Sequence, residues 1–282
     1  MNRRHANIHW VYVVMLALAI QNNAAAQIQE SPSKRSPAFS LVNSIGSDVG
    51  HVFSSPFGMS SNSTFKLMGL AVLTAGLATS LDRSFDHGFA GRADGALGFP
   101  KNGLVTMGKG YDEISSLYFL AGLSTATLAG GLAFKDDKLL QTSRLLVESY
   151  FVTQAVTFLG KELFGRSRPY TGRSDFSLFN FGGSNDKHSF PSGHTSSAFA
   201  MMTVLAKQYD SWWVKIPAYT LATSVAIQRM ESRNHWGSDV LVGGLIGYWV
   251  GGTLVNKHKS KLQMLPFEPY ITGNGVGLSI NF

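Results

Sequence analysis

The segment SFPSGHTSSAFAMMTVLAKQY, residues 189–209, joins a short turn to an apolar stretch. Pro191 and Gly193 favour a tight turn, and the apolar residues after them predict a helix over 195–209. The first N–H groups of a helix bind anions, and a glycine lets an anion approach the backbone. His194 stands beside that position, from which an imidazole can donate a proton to a leaving oxygen. Taken alone, the segment is equally well explained as a helix cap that contains a histidine.

Apolar blocks of similar length follow one another from about residue 65 onwards. They are rich in leucine, alanine and valine and lack the alternation of apolar and polar residues that is typical of strands. With 44% hydrophobic and only 15% charged residues, the chain is not a disordered protein. The sequence predicts an all-α fold, a single-domain bundle of about six helices with the candidate active site at one end, plus a short extended C-terminal tail. The predicted helices cover residues 65–81, 113–134, 139–163, 195–209, 212–230 and 236–257.

The N-terminus has the three parts of a secretory signal. Arg3 and Arg4 precede the apolar run WVYVVMLALAI, residues 10–20, and small residues lead up to Gln27. A spanning helix needs about 20 apolar residues, so the short run favours a cleaved signal over an uncleaved anchor. We predict a signal peptide over 1–26, a linker or arm over 27–60, a helical domain over 61–258 and an extended tail over 259–282.

Two glycine patterns indicate loops and packing faces. Residues 82–112 and 164–193 are rich in glycine and are predicted to be long loops, which are often functional. Small residues spaced four apart let helix backbones approach each other, so two such stripes are predicted to be packing faces. The stripes are Gly122, Ala126 and Gly130 in one helix and Gly243, Gly247 and Gly251 in another.

The amino-acid composition excludes several classes of partner and chemistry. The formal net charge is +7, but lysine and arginine form no clustered block with interleaved aromatic residues, so we expect no nucleic-acid partner. A basic protein suits an anionic lipid surface or a phosphorylated substrate. The chain has no cysteine, which excludes disulfides, thiolate catalysis and cysteine-bound zinc.

Residues 161–169, KELFGRSRP, place two cations near the end of a predicted helix. Pro169 cannot continue the helix, so Arg168 lies at its exit, and Lys161 lies about two turns earlier on the same side. Two cations directed at one place can hold a phosphate or a carboxylate. Basic residues are also common at helix C-termini, where they complement the helix dipole, so this segment alone does not establish a site.

Residues 229–239, RMESRNHWGSD, contain a histidine and a carboxylate at helical spacing. On one helical turn, Asp239 can reach Nδ1 of His235. The carboxylate would then fix the imidazole tautomer and leave Nε2 free to attack, as the aspartate of a serine triad orients its histidine. Without the other segments, an ordinary surface pair is the simpler explanation.

Together the three segments resemble the phosphatidic acid phosphatase type 2 and vanadium haloperoxidase superfamily. Its pattern is matched in order by Lys161-x6-Arg168-Pro169, by residues 191–194 (PSGH) and by Arg229-x5-His235-x3-Asp239. The resemblance covers about residues 65–258, and three spaced motifs in order are highly specific. One position differs, because Gln228 stands where the family usually has serine.

The resemblance implies a metal-independent phosphatase that hydrolyses phosphate monoesters, either lipid phosphates or small soluble phosphoesters. His235 is then the nucleophile that forms a phosphohistidine, Asp239 orients it, and His194 protonates the leaving group. No metal or other cofactor is implied, and vanadate is expected to act as an inhibitor or transition-state mimic. The phosphate-binding residues implied by the resemblance are Lys161, Arg168, Ser192, Gly193 and Arg229.

Two other functions fit the same pattern. A vanadium-dependent haloperoxidase uses the same pocket residues, and a non-enzymatic membrane scaffold with a vestigial site is also compatible with a helical bundle. The expected partners are a phosphorylated lipid or small-molecule substrate and a membrane surface, with no particular oligomeric state indicated. Four further polar residues near the motifs are expected to be solvated loop residues at the pocket mouth: Arg166, Tyr170, His188 and Arg233.

The lengths of the apolar segments predict where in the cell the protein is located. Only residues 115–134 and 240–255 look compatible with lipid, because the other apolar segments are short or carry charges. With an export signal, three crossings before Arg168 would place the site in the cytoplasm. We therefore predict an exported, mainly periplasmic bundle held peripherally on the membrane, with an integral inner-membrane protein as the alternative.

Overall fold

The computed structural model describes residues 37–55, 82, 83, 86, 98–182, 184–263, 267–272 and 275–280. In this part of the chain, the dominant elements are seven α-helices, which confirms the predicted all-α fold. Two 3₁₀ helices, Pro169–Thr171 and Asn185–Lys187, lie in the loop that leads into the fifth helix, and β1 (Phe267–Thr272) pairs with β2 (Gly275–Ile280) in an antiparallel hairpin. The helices are α1 Pro37–Ser54, α2 Gly98–Ile114, α3 Ser116–Phe134, α4 Asp137–Phe164, α5 Gly193–Gln208, α6 Trp212–Glu231 and α7 Gly237–Gln263.

Two helices lie where the sequence predicted irregular chain. α1 falls within residues 27–60, which were predicted to be a linker or arm, and α2 occupies the second half of the loop predicted over 82–112. α1 is rich in serine and α2 in glycine, and their helical structure comes from packing against other helices rather than from local propensity. The predicted helix over 65–81 lies outside the described residues.

A sharp connection joins α3 to α4. Lys135 adopts a left-handed conformation with φ 53°, and Asp136 then caps α4 by accepting hydrogen bonds from the N–H groups of Lys138 and Leu139 at 2.8 and 3.1 Å. Such a cap typically stabilises a helix by about 1 kcal/mol. The two helices therefore form an antiparallel pair, and α4 begins two residues before the predicted start.

The glycine stripe of α7 packs directly on α5. A Cβ atom added to Gly243, Gly247 or Gly251 would lie 2.2–2.7 Å from a backbone carbonyl oxygen of α5 or its cap. Only glycine permits this approach, which confirms the predicted packing face. The core around this contact is apolar, and its fully buried side chains include Leu145, Leu146, Met201, Val204, Val250 and Leu254.

Most of the stripe predicted on α3 does not pack. Nothing lies within 4 Å of a Cβ added to Gly122, Ala126 is exposed, and only at Gly130 would an added Cβ meet a side chain, that of Leu139 at 3.4 Å. α3 contacts α4 through its opposite side, where Leu120 and Leu128 are buried and Gly131 touches Leu140. The prediction for this stripe was wrong because spacing alone does not show which face of a helix meets a neighbour.

Two of the described helices are long and apolar enough to cross a membrane. They are Ser116–Phe134 and Gly237–Lys259, the same two segments that the sequence analysis marked as compatible with lipid. The first is mostly exposed, with 28% of its apolar window buried, whereas 61% of the second is buried inside the bundle. α3 is therefore the helix whose apolar surface is most available to a membrane.

Candidate active site

The ends of four helices meet at one end of the bundle. α4 ends at Phe164, α5 begins at Gly193, α6 ends at Glu231 and α7 begins at Gly237. All three sequence motifs lie at these ends or in the connections between them. The structure thus brings the predicted site residues together at one end of the bundle.

His235 and Asp239 form a buried pair. Nδ1 of His235 lies 3.6 Å from Oδ2 of Asp239, and the two residues are 2% and 0% exposed. They do not share a helical turn, because α7 begins at Gly237 and His235 lies in the turn before it. The backbone N–H of Trp236 donates to the same carboxylate oxygen at 2.9 Å, so the aspartate also caps the start of α7.

The surroundings keep the imidazole of His235 neutral. Burial holds the pKa of His235 well below its ordinary value, and the nearby cations Lys161 and Arg229 lower it further, although Asp239 acts in the opposite direction. A neutral imidazole with Nδ1 towards a carboxylate has Nε2 available as a nucleophile. The 3.6 Å separation is longer than a hydrogen bond, as is common in catalytic pairs without bound substrate.

Three further groups hold Asp239. Ser189 donates its hydroxyl to Oδ2, and the Arg166 guanidinium donates to Oδ1. The backbone carbonyl of Asp239 accepts from the N–H of Ser192 at 3.1 Å, which ties the start of α7 to the turn before α5. The two side-chain donors, Ser189 and Arg166, favour the ionised carboxylate and fix its orientation.

Arg166 is not the solvated loop residue that the sequence predicted. It is 3% exposed, and its Nη2 donates to Oδ2 of Asp82 at 2.8 Å. Asp82 also accepts from the backbone N–H of Ser238 at 2.8 Å and from its hydroxyl. A buried chain therefore runs from Asp82 through Arg166 to Asp239, and sequence reasoning missed Asp82 because nothing local marks it.

Lys161 and Arg168, two of the predicted phosphate-binding residues, lie at this end of the bundle. Nζ of Lys161 donates to the carbonyl of His188 at 2.8 Å, and burial together with Arg168 lowers the pKa of Lys161 to about 8. Arg168 is held by Asn185 and Asn234, whose side-chain oxygens accept from its Nη2 and Nη1 at 2.8 and 3.0 Å. The two asparagines fix the guanidinium, and sequence reasoning did not identify either of them.

Arg229 and His194 face each other across a carboxylate from α2. Oδ1 of Asp112 lies 2.8 Å from Nη1 of Arg229 and 3.4 Å from Nε2 of His194. Arg229 is buried, and its Nε has no hydrogen-bond partner. Asp112 was not predicted, because it lies in a segment that the sequence analysis assigned to a loop.

His194 lies in a strongly cationic environment. Burial and the charges of Arg229, Lys161 and Arg168 lower the pKa of His194 to about 4, and Asp112 only partly opposes them. A dianionic phosphate placed among these cations would raise the pKa of His194 and so favour the imidazolium. Its side chain is 37% exposed, so it lies on the open side of the site.

Ser192 and Gly193 form the start of α5 beside these cations. Ser192 is fully buried, and its hydroxyl exchanges a hydrogen bond with Thr195 at 3.0 Å. A Cβ added to Gly193 would lie 3.7 Å from Cε of Lys161, so the glycine backbone faces the lysine. The first turn of α5 adds its N–H groups to the cations, an arrangement suited to phosphate oxygens.

The other residues near the motifs lie at the edge of the site. Tyr170 is exposed and donates to Asp186, and Arg233 pairs with Asp86 through two hydrogen bonds. His188 contributes its backbone carbonyl to Lys161. Gln228, which replaces the usual serine, is buried and its Oε1 has no partner.

The described residues contain one group that could jointly hold a metal ion, and it lies far from this site. The group is Asp48, Glu148 and His258. His258 follows Asp239 by 19 positions along α7, which corresponds to about 28 Å of helix. The described carboxylates and imidazoles of the site do not converge into such a group.

Comparisons with known proteins confirm the resemblance read from the motifs. Residues 143–262 match the model of the PAP2 superfamily, and this part of the chain contains most of the proposed site. A lipid A 1-phosphatase from Porphyromonas gingivalis is 39% identical over 94 residues. That match covers 33% of this chain and only 18% of the relative.

Two solved structures are also similar. LpxE from Aquifex aeolicus is 21% identical, with a TM-score of 0.45, and the match covers 63% of this chain and 96% of that protein. A transmembrane PAP2-type phosphatidylglycerolphosphate phosphatase from Bacillus subtilis is 20% identical, with a TM-score of 0.47, over 71% of this chain and 96% of that protein.

Proposed function

We propose that the protein is a phosphatase that hydrolyses phosphate monoesters through a phosphohistidine, with lipid phosphates as its substrate class. The observation that carries the proposal is the buried His235–Asp239 pair, which faces Lys161, Arg168 and Arg229. A neutral nucleophile beside three fixed cations suits attack on a phosphorus that carries two negative charges.

In the first step, Nε2 of His235 forms a bond to phosphorus while the bond from phosphorus to the ester oxygen breaks. His194 gives its proton to the departing oxygen, so an alcohol leaves rather than an alkoxide. Asp239 stabilises the positive charge that develops on His235. The three cations and the first turn of α5 hold the phosphoryl oxygens.

In the second step, water attacks phosphorus and the P–N bond breaks. Neutral His194 accepts a proton from the water, and inorganic phosphate leaves with His235 restored. The fixed cations supply the charge stabilisation, so no metal ion or other cofactor takes part in either step. Orthovanadate is expected to inhibit, whereas EDTA is expected to have no effect.

A lipid substrate is supported by the surface next to the site. Phe176, Phe179 and Phe181 are exposed in the loop that follows α4, and Leu163 at the end of α4 is 65% exposed. Apolar surface at the entrance suits the acyl chains of a lipid in a membrane. The lipid A 1-phosphatase of P. gingivalis, which is similar to part of this chain, acts on a lipid according to its name.

The test is phosphate release from purified protein with lipid phosphates, isoprenyl diphosphates and soluble monoesters. We expect wild type to release phosphate from lipid phosphates in detergent and His235→Ala to have no activity. After rapid quenching, the wild-type protein should carry acid-labile phosphate. The activity of Asp239→Asn should be lower than that of wild type by orders of magnitude. The matching change in a serine triad lowers the rate by about 10⁴, a value measured on that enzyme class. Activity in His235→Ala would refute the mechanism, and halide oxidation with vanadate in place of phosphate release would indicate a haloperoxidase.

A further inference from the structure

One carboxylate lies among the cations of the site. Asp112 belongs to α2, outside residues 143–262 matched by the family model. Its Oδ1 binds Nη1 of Arg229 at 2.8 Å and lies 3.4 Å from Nε2 of His194. A single oxygen that touches a phosphate-binding arginine and a proton donor lies where an oxygen of a bound phosphate ester is expected.

A close backbone approach and a buried side-chain hydrogen bond fix α2 in this position. A Cβ added to Gly108, one turn before Asp112, would lie 2.3 Å from the carbonyl oxygen of Ser224 in α6. Tyr111 is buried and shares a hydrogen bond of 3.0 Å with Ser197 of α5. Because α2 is held on two sides, the carboxylate can leave Arg229 only by rotation of its own side chain, which is 31% exposed.

The charge of Asp112 opposes the binding of phosphate. A carboxylate at hydrogen-bond distance from Arg229 repels an incoming anion and competes for the same donor. The arginine is charged and 5% exposed, and without an anion its charge would be left buried and unpaired. Asp112 therefore stabilises the empty site at the expense of anion affinity.

We propose that Asp112 is an internal anion that occupies the phosphate site and is displaced by substrate, so that it selects for dianionic phosphate monoesters. A dianion with three oxygens can replace the carboxylate on Arg229 and also bind Lys161 and Arg168, whereas a singly charged anion gains too little to displace it. The displaced carboxylate turns towards solvent at the mouth. This inference rests on the proposed function, since it names the specificity of the same site.

The test compares inorganic phosphate binding by wild type, Asp112→Asn and Asp112→Ala, measured by calorimetry and by competitive inhibition. Loss of the competing charge should tighten phosphate binding by about tenfold in both variants, because a charge-assisted hydrogen bond no longer has to be broken. Binding of a singly charged phosphate diester should tighten more, so the preference for the dianion falls. Glu113→Gln is the matched control, since it removes the same charge from an exposed neighbour and should change nothing.

The outcomes separate this inference from the proposed function. Unchanged or weaker phosphate binding in both Asp112 variants, with melting temperatures close to wild type, would overturn the inference while leaving the phosphatase intact. Should one variant fail to fold, the other supplies the comparison. A wild-type protein that neither binds phosphate nor hydrolyses any monoester would refute the proposed function itself.

Discussion

At the level of single residues, Asp239 depends on partners that are remote in the sequence. Its carboxylate is held by Arg166, which is held in turn by Asp82, and both acids are fully buried. Removing one member of such a buried ionic chain leaves an uncompensated charge, typically at a cost of about 3–5 kcal/mol. The orientation of the His235–Asp239 pair therefore rests on Asp82 as much as on its own neighbours.

Asp82→Asn should lower kcat by about 10- to 100-fold with little change in KM, by analogy with the loss of a residue that supports the ligands of a metal site. The reason is that Arg166 and Asp239 lose their fixed geometry, while the cations that bind phosphate stay in place. Asp86→Asn is the control, since Asp86 pairs with the half-exposed Arg233 at the edge. A variant with unchanged kcat and a lower melting temperature would show that Asp82 serves stability alone.

The site residues divide by what a sequence can reveal. His194, His235 and Asp239 stand at fixed spacings from turn and helix signals, so local chemistry and the family pattern identify them. Asp82 and Asp112 lie more than 100 positions before the residues they contact on α6 and α7, and no local pattern marks them. Contacts of this kind are set by how helices pack, which the spacing of residues within one helix does not determine.

At the level of elements, the contact between α5 and α7 gives a direct test of the packing. Gly247→Ala would place a Cβ 2.2 Å from the carbonyl oxygen of Ser196, so the helices must separate. We expect a loss of about 1–3 kcal/mol in the free energy of unfolding, as for overpacked cores. In Gly122→Ala on α3, the added Cβ has nothing within 4 Å. This substitution should instead stabilise the helix by up to about 1 kcal/mol. Equal melting temperatures for the two variants would contradict this packing.

A second ionic cluster joins α1, α4 and α7 at the end of the bundle remote from the site. Asp48 receives hydrogen bonds from Lys257 at 2.7 Å and His258 at 3.1 Å, and Arg144 donates to Glu148 at 2.7 Å. Burial raises the pKa of Glu148 to about 7, with a further contribution from the nearby Asp48, while Arg144 acts against the rise. Oε2 of Glu148 is buried without a partner, so the protonated acid is the form that suits this position.

This cluster contributes a stability that falls as pH rises. Between about 4.5 and 7 the folded protein binds a proton at Glu148 that the unfolded chain has lost, so the Glu148 contribution to the free energy of unfolding decreases with pH across that window. The lowered pKa values of His194 and His235 act in the opposite direction, because below about pH 6.5 the unfolded chain binds protons there that the folded protein does not. Thermal unfolding from pH 5 to 8 therefore tests the Glu148 contribution as a difference: the stability of wild type minus that of Glu148→Gln should decline with pH, whereas wild type minus the control Glu162→Gln should stay constant. A difference between wild type and Glu148→Gln that does not fall with pH would contradict the assignment.

At the level of the whole molecule, the sequence predicted the all-α class and the gathering of the motifs at one end. It failed for α1 and α2, because their residues have weak helix propensity and their helices are stabilised by neighbours. The position of the protein relative to the membrane remains a prediction. α3 is apolar along its full length and mostly exposed, which favours association with lipid.

Fractionation tests the predicted periplasmic bundle. If the protein is exported and held peripherally, high salt or carbonate should release the mature chain from membranes, because α7 is largely buried and α3 alone is the exposed apolar helix among those described. A chain that leaves the membrane only with detergent would instead be integral. In that case the N-terminal apolar run would serve as a further spanning helix rather than a cleaved signal.

The hydrogen bond from the Ser192 N–H to the Asp239 carbonyl lies beside the closest contact of α5 and α7. It links the segment that carries His194 to the segment that carries His235 at the site end of the bundle. Ser192 and Asp239 are fully buried, so local opening of an outer helix such as α1 leaves this link intact, and its amide hydrogen exchanges with solvent only when the whole domain unfolds. We expect the Ser192 amide to be among the slowest to exchange. The segments that carry His194 and His235 should unfold together in one cooperative transition.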